Sequence, residues 1–179
     1  MAAPATKTLH DLNGTWSLNK TLSDDVSPAL ELQGVGWLTR KAIGLASVTL
    51  HVKQYVSEDG KEHVDIEQTA TGGLKGTSEH REMDGQPREH KDWLFGRVSG
   101  RSEFVTEIPG GDAFLLSNWE EGTSEWLLNS VDSLDNGWTA RQTWGFQQVK
   151  GERRYVRNVV VEKGEKRAEI RMVYDWIAT

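Results

Sequence analysis

His80, Glu82, His90 and Asp92 are the residues of this chain whose types and spacing could move protons. Each pair is separated by one residue, so on a strand, where side chains alternate between faces, each pair shares a face. General acid and base catalysis asks for such groups in a cavity that shifts their pKa values toward the working pH. If Leu74 faces inward, so do Gly76, Ser78, His80 and Glu82; His90, Asp92 and Leu94 share a face of the following strand, where Trp93 and Phe95 compete for the inward side. The same two polar runs also read as edge strands with a solvated face, which would leave all four residues in water.

A second constellation lies in the C-terminal third. Tyr155, Arg157, Val159 and Val161 alternate with Val156, Asn158 and Val160, and neighbouring runs put Trp138, Trp144, Met172, Tyr174 and Trp176 on one face. An arginine among aromatic side chains suits a carboxylate, phosphate or enolate head group, because its planar fork donates paired hydrogen bonds. The opposite phase, with Val156 and Val160 inside and Arg157 in solvent, fits the pattern as well. The candidate ligand contacts are therefore Trp138, Trp144, Tyr155, Arg157, Met172 and Tyr174, with Trp37 and Leu38 from a helical segment described next.

These residues need strands to hold them, and the chain supplies strand signals over most of its length. Val48 to Val56 alternates Val48, Leu50, Val52 and Gln54 against Thr49, His51, Lys53 and Tyr55, and His63 to Thr71 alternates after the turn Glu58-Asp59-Gly60. Further strands are expected over Lys75 to Met83, Arg88 to Asp92, Gly96 to Glu107, Ala113 to Trp119, from Trp126, and then three long ones after Asp135-Asn136-Gly137. Before them comes a different pattern. A short strand, Gly14 to Leu18, leads to a helix expected to start at Ser23-Asp24-Asp25 and end at Gly34. A second helix carries Val35, Leu38, Ala42 and Leu45 as an apolar stripe and ends at Gly44. Two short helices between the first two strands of an all-β chain imply a barrel with a lid, or a helical hairpin that plugs a core.

The run from Leu32 through Gly34-Val35-Gly36-Trp37-Leu38 to Ala46, with Thr49-Leu50 opening the next strand, resembles the helix-turn-helix and second strand of intracellular fatty-acid-binding proteins. Gly14-Thr15-Trp16 is similar to the Gly-x-Trp first-strand signature of the wider calycin superfamily, which includes the lipocalins. The resemblance implies an all-β, single antiparallel barrel of about ten strands with a helix-turn-helix lid, and a hydrophobic ligand inside. It also implies an Arg-x-Tyr pair on the last strand that reads a ligand carboxylate. Tyr174 matches the tyrosine, but Met172 stands at the arginine position and Arg171 falls on the other face, a departure that leaves a more apolar or differently charged small molecule open as the ligand beside fatty acid. By the same resemblance Arg171 is the residue that would pack across Trp16. The chain is longer than is usual for the family, with the excess after Thr71.

Composition narrows the function classes. The 179 residues carry a net charge of −6 with no concentrated basic block, which argues against nucleic acid as a partner. There is no cysteine, so disulfides, thiol nucleophiles and cysteine–metal sites are excluded. No apolar run suits a signal peptide or a membrane span, and a cytoplasmic location is expected, with Arg40 and Lys41 of the lid allowing at most transient membrane contact. Eight tryptophans would either line a barrel or fill a solid core. Residues 1–10 are expected to form a flexible tail and 11–179 the barrel domain. Three functions follow: an intracellular carrier of a lipid-like or aromatic, polyketide-like molecule, with an anionic group if Arg157 faces inward; a cofactor-free isomerase, cyclase or lyase; and a haem-binding barrel using one of five histidines. No cofactor or metal is expected for the first two, and oligomeric state is left open.

Overall fold

The computed structural model describes residues 1–177 and is all-β apart from two short helices. The strands are β1 (Gly14–Leu18), β2 (Val48–Val56), β3 (Glu62–Ala70), β4 (Thr77–Glu82), β5 (Arg88–Asp92), β6 (Gly96–Val105), β7 (Trp126–Ser133), β8 (Thr139–Val149), β9 (Glu152–Lys163) and β10 (Lys166–Ile177). The helices α1 (Ser27–Leu32) and α2 (Trp37–Leu45) lie between β1 and β2. One antiparallel sheet runs in the order β4-β3-β2-β1-β10-β9-β8-β7-β6-β5, so β1 and β10 pair and the sheet curls into a nearly closed barrel. Only the edge strands β4 and β5 remain unpaired with each other. Sequence neighbours pair everywhere else, the arrangement that tight hairpins favour.

The lower end of the barrel is solid. Trp16, Leu50, Val64, Leu127, Phe146 and Tyr155 pack there around the N-terminal Leu12. Trp16 donates its indole N–H to the Leu12 carbonyl (2.9 Å) and meets Trp176 edge to face at 4.8 Å. Gly14 has a φ of +127°, and a Cβ there would overlap the Trp176 ring, so the glycine of the Gly-x-Trp signature makes room for the last strand's tryptophan. Arg171 lies on the opposite face of β10 from the inward Ile170 and Tyr174, and therefore does not take up the expected position across Trp16. The N-terminal segment lies against this end: the buried Ala3 donates to the Arg153 carbonyl, and Trp176 N–H donates to the Met1 carbonyl.

Three local expectations are corrected. The first helix starts at Ser27 because Ser23 and Asp24 serve β10 instead, accepting the N–H groups of Val173 (2.8 Å) and Arg171 (2.7 Å). The stripe of α2 is not buried; Leu38 and Leu45 are exposed, and α2 is held to α1 through Arg40, which donates to the Val35 carbonyl and the Ser27 hydroxyl. Ala113 to Trp119 is a series of turns, not a strand. Asp112 accepts the N–H groups of Phe114 and Leu115, an Asx-type turn that breaks the extended run.

Residues 106–125 instead form a strap over the outer face of β8 and β9. Asn158 donates to the carbonyls of Phe114 (3.1 Å) and Ser117 (3.0 Å), Gln147 to Ser117 and Thr143 to Leu115. Leu115 and Ile108 cover Val160, and Trp119 covers Val156 with Val173. This accounts for the unbroken burial of β9 from Arg154 to Val161: one face looks into the barrel and the other lies under the strap. Among the described residues no helix is long and apolar enough to cross a membrane.

Candidate functional site

Above the solid end the barrel opens into a cavity of about 490 Å³, within the range of small-molecule sites. The strand faces decide what lines it. Trp138, Ala140, Val159, Val161 and Ile170 form an apolar wall, joined by Val98 and Phe95 and roofed by Ala29 and Leu30 of α1. Arg157, Met172 and Tyr174 form the floor, where register sets Arg157 opposite both Trp144 and Met172. The polar lining includes Glu79 and Arg81 on β4, Ser102 on β6, Asn129 on β7 and Gln142 on β8, with His80, Glu82, His90 and Asp92 along the β4–β5 side.

Arg157 faces inward and is 7% exposed. Its guanidinium carbon stands 3.7 Å from the Trp144 ring centre, and its Nε donates to Tyr155 Oη at 2.9 Å. Its Nη2 has no hydrogen-bond partner. Burial works against its charge, but Tyr155, Tyr174 and Glu79 outweigh that, so the guanidinium stays protonated. Burial pushes the Tyr155 phenol up, against the pull of Arg157, and raises Tyr174 also; both remain neutral. Trp144 is held by its N–H donated to Gln142 Oε1 (3.0 Å). On the neighbouring strand Arg157 sits directly across from Met172, and Tyr155 across from Tyr174.

The four proton-transfer candidates all border the cavity on its β4–β5 side, each engaged by a neighbour. His80 points outward, 77% exposed at its side chain, and pairs with Asp65 (3.1 Å). Glu82 is engaged by Lys61 (2.9 Å) and Arg88 (2.7 Å). His90 is half-exposed at the rim, and Asp92 accepts the N–H groups of Leu94 and Phe95 as a turn residue. Trp138, Met172 and Tyr174 line the cavity, while Tyr155 and Trp144 back Arg157 from the core side. Trp37 and Leu38 stand on the exposed side of α2, 61% and 68% exposed, outside the cavity wall.

Glu79 and Arg81 were not among the candidates. In an antiparallel pair directly opposed residues share a face, and the inward Ile66 and Val64 of β3 oppose Glu79 and Arg81. The phase counted from Leu74 fails because residues 71–76 are loop: a Cβ at Gly76 would overlap the Gln68 carbonyl, and the strand begins only at Thr77. Counting from β3 across the Gly72-Gly73 turn is the signal that would have found them. Burial opposes the Glu79 carboxylate, but Arg81 and Arg157 hold its pKa below the ordinary value. Among the described residues no group of three or more histidine, aspartate and glutamate side chains is arranged to hold a metal ion. The histidines His10, His51 and His63 lie away from the cavity wall.

The arrangement sets an apolar wall above an oriented, charged donor. No protein-family model matches the chain. The barrel is similar to the crystal structure of Echinococcus granulosus fatty-acid-binding protein 1, with a TM-score of 0.60 at 17% identity over 93% of this chain and 98% of that one. The fold is thus that of the fatty-acid-binding proteins. In sequence, the pericyclase pydY of an Acremonium species is 29% identical over 99% of this chain and 97% of its own. The probable pericyclase scpY of Mollisia scopiformis is 36% identical over 98% of this chain and 95% of its own. With that identity sustained from end to end, the chain belongs to the family of the probable pericyclase scpY.

Proposed function

We propose that the protein is a cofactor-independent cyclase that catalyses a pericyclic rearrangement or intramolecular cycloaddition of a conjugated, largely apolar substrate. The observation that carries this reading is the full-length kinship with two proteins named pericyclases, set on a barrel whose cavity combines an apolar aromatic wall with the buried, inward Arg157. In a pericyclic step the bonding electrons move around a ring, and no proton, nucleophile or leaving group is exchanged. The demand on the protein is therefore geometric: the substrate must be folded so that its reacting ends meet. Holding reactive ends in place can contribute about 7–11 kcal/mol in favourable intramolecular systems.

The walls fit that task. Trp138, Phe95, Val159, Val161 and Ile170 would hold the chain of the substrate against a rigid surface, and α1 above them would exclude water. Arg157, backed by Trp144 and Tyr155, would donate to a carbonyl oxygen conjugated to one reacting π bond, withdrawing electron density where the transition state needs it. His80, Glu82 and Asp92 border the same cavity but are each engaged by a charged or backbone partner, and a pericyclic step asks no proton of them. A carrier on the same fold would use the same cavity without turnover.

The test is metabolite complementation. Deleting the gene in its own organism should accumulate a linear compound, and adding the purified protein to it should give a product of identical mass and different retention time. Recovery of the linear compound unchanged, bound to the barrel, would favour the carrier.

A further inference from the structure

Arg157 shares its indole with a second guanidinium. Arg81 reaches in from the edge strand β4, and its guanidinium carbon stands 5.1 Å from the Trp144 ring centre, against 3.7 Å for Arg157. Arg81 is largely buried, and its Nε and Nη1 have no hydrogen-bond partner, as is true of Arg157 Nη2. Glu79, two residues earlier on the same face of β4, is paired with Arg81 and lies within electrostatic reach of Arg157. The cluster therefore holds two positive charges and one negative one at the floor of the cavity, below the apolar wall of Val159, Trp138 and Ile170. Three guanidinium nitrogens of the cluster, Arg81 Nε and Nη1 and Arg157 Nη2, have no hydrogen-bond partner within the protein. Buried donors and charges are costly when left unmatched, so the floor is complete only with an anion in place.

We infer that Arg81 and Arg157 form a paired-guanidinium site for the planar, two-oxygen anionic head of the substrate, a carboxylate or a β-dicarbonyl enolate. The head lies over Trp144, and the conjugated tail runs up the wall of Val159, Trp138 and Ile170 toward α1. Glu79 is the internal counter-ion that keeps Arg81 at the cavity when the site is empty. A two-oxygen head held by two forks also fixes the direction in which the tail leaves it, which a single hydrogen bond cannot do. The inference rests on the cavity being the substrate site of the proposed cyclase, but it is read by binding alone.

The test uses three probes that share one tetraene chain: trans-parinaric acid, its methyl ester, and the same chain acylated onto a cyclic β-diketone. Equilibrium fluorescence titration at neutral pH is expected to give tighter binding for an anionic probe than for the ester, by about tenfold or more. Whichever of the two anions binds more tightly identifies the source of the head group. Arg81→Gln and Arg157→Gln should each remove most of that preference, with an unchanged circular dichroism spectrum and melting transition reporting that each variant is folded. Equal binding of both anions and the ester to the unaltered protein would overturn the inference. So would an Arg81→Gln protein that keeps the full preference. Failure of the cyclase reading appears separately, as probe discrimination without conversion of the linear metabolite.

Discussion

At the residue scale the site depends on side chains that the strands hold in a fixed relation. Arg157 is stacked on Trp144, hydrogen-bonded to Tyr155 and opposed by Met172, so it enters the cavity already oriented. A second charged group acts on the closed end. His10 is hydrogen-bonded to Glu125 (2.8 Å) and meets Glu62 (3.4 Å); burial opposes its charge, but the two carboxylates outweigh it and raise its pKa. A raised folded-state pKa means stability that is fully present below the unfolded value and lost as pH rises through the folded one. The pair is half-exposed, so the contribution should not exceed about 1 kcal/mol. His10→Ala is therefore expected to lower the melting temperature below the ordinary histidine pKa and to approach the parent as pH rises through the raised one. A melting series across that window checks it; a deficit independent of pH would assign His10 a packing role on Phe104 instead.

The strands most legible in the sequence are those with one face in the core and the other in water. β2 alternates as its residues dictate, and Arg157 faces inward in the phase that also puts Tyr155, Val159 and Val161 inside. Where a second layer covers a strand, alternation stops carrying information. β9 is buried on both faces because the strap lies on it, and nothing in Val156, Asn158 and Val160 says whether strap or cavity covers them. Edge strand β4 misleads for another reason: its inward side is polar, so hydrophobic phase is silent and only its pairing with β3 fixes Glu79 and Arg81 inward. The helices show the limit of capping signals, since Ser23 and Asp24 are taken by β10 before they can cap α1.

Two substitutions test these elements. Gly14→Ala must place a methyl group on the Trp176 ring at a backbone φ of +127°, and should destabilise the fold by more than about 2 kcal/mol in urea unfolding. A neutral result would mean that β1 and β10 part easily at that end. Leu115 is the fully buried anchor of the strap, and Leu115→Ala should cost about 2–5 kcal/mol in the same assay. A loss below about 1 kcal/mol would show the strap to be dispensable to the barrel.

At the scale of the whole molecule the barrel is divided into a filled end and an open one. Large aromatic residues occupy the first, and the second keeps a cavity between the apolar wall, α1 and the arginine floor. A molecule that only carried its ligand would need nothing more. The proposed difference lies in holding a flexible substrate in the one shape from which it can close on itself. The most direct measurement is the number of product molecules formed per protein molecule when the accumulated linear metabolite is supplied in large excess. A cyclase gives many equivalents of one stereoisomer, and Arg157→Gln lowers that rate by at least about tenfold through the loss of a charged donor. One equivalent or less, with the excess recovered unchanged, would contradict it and leave the barrel a carrier.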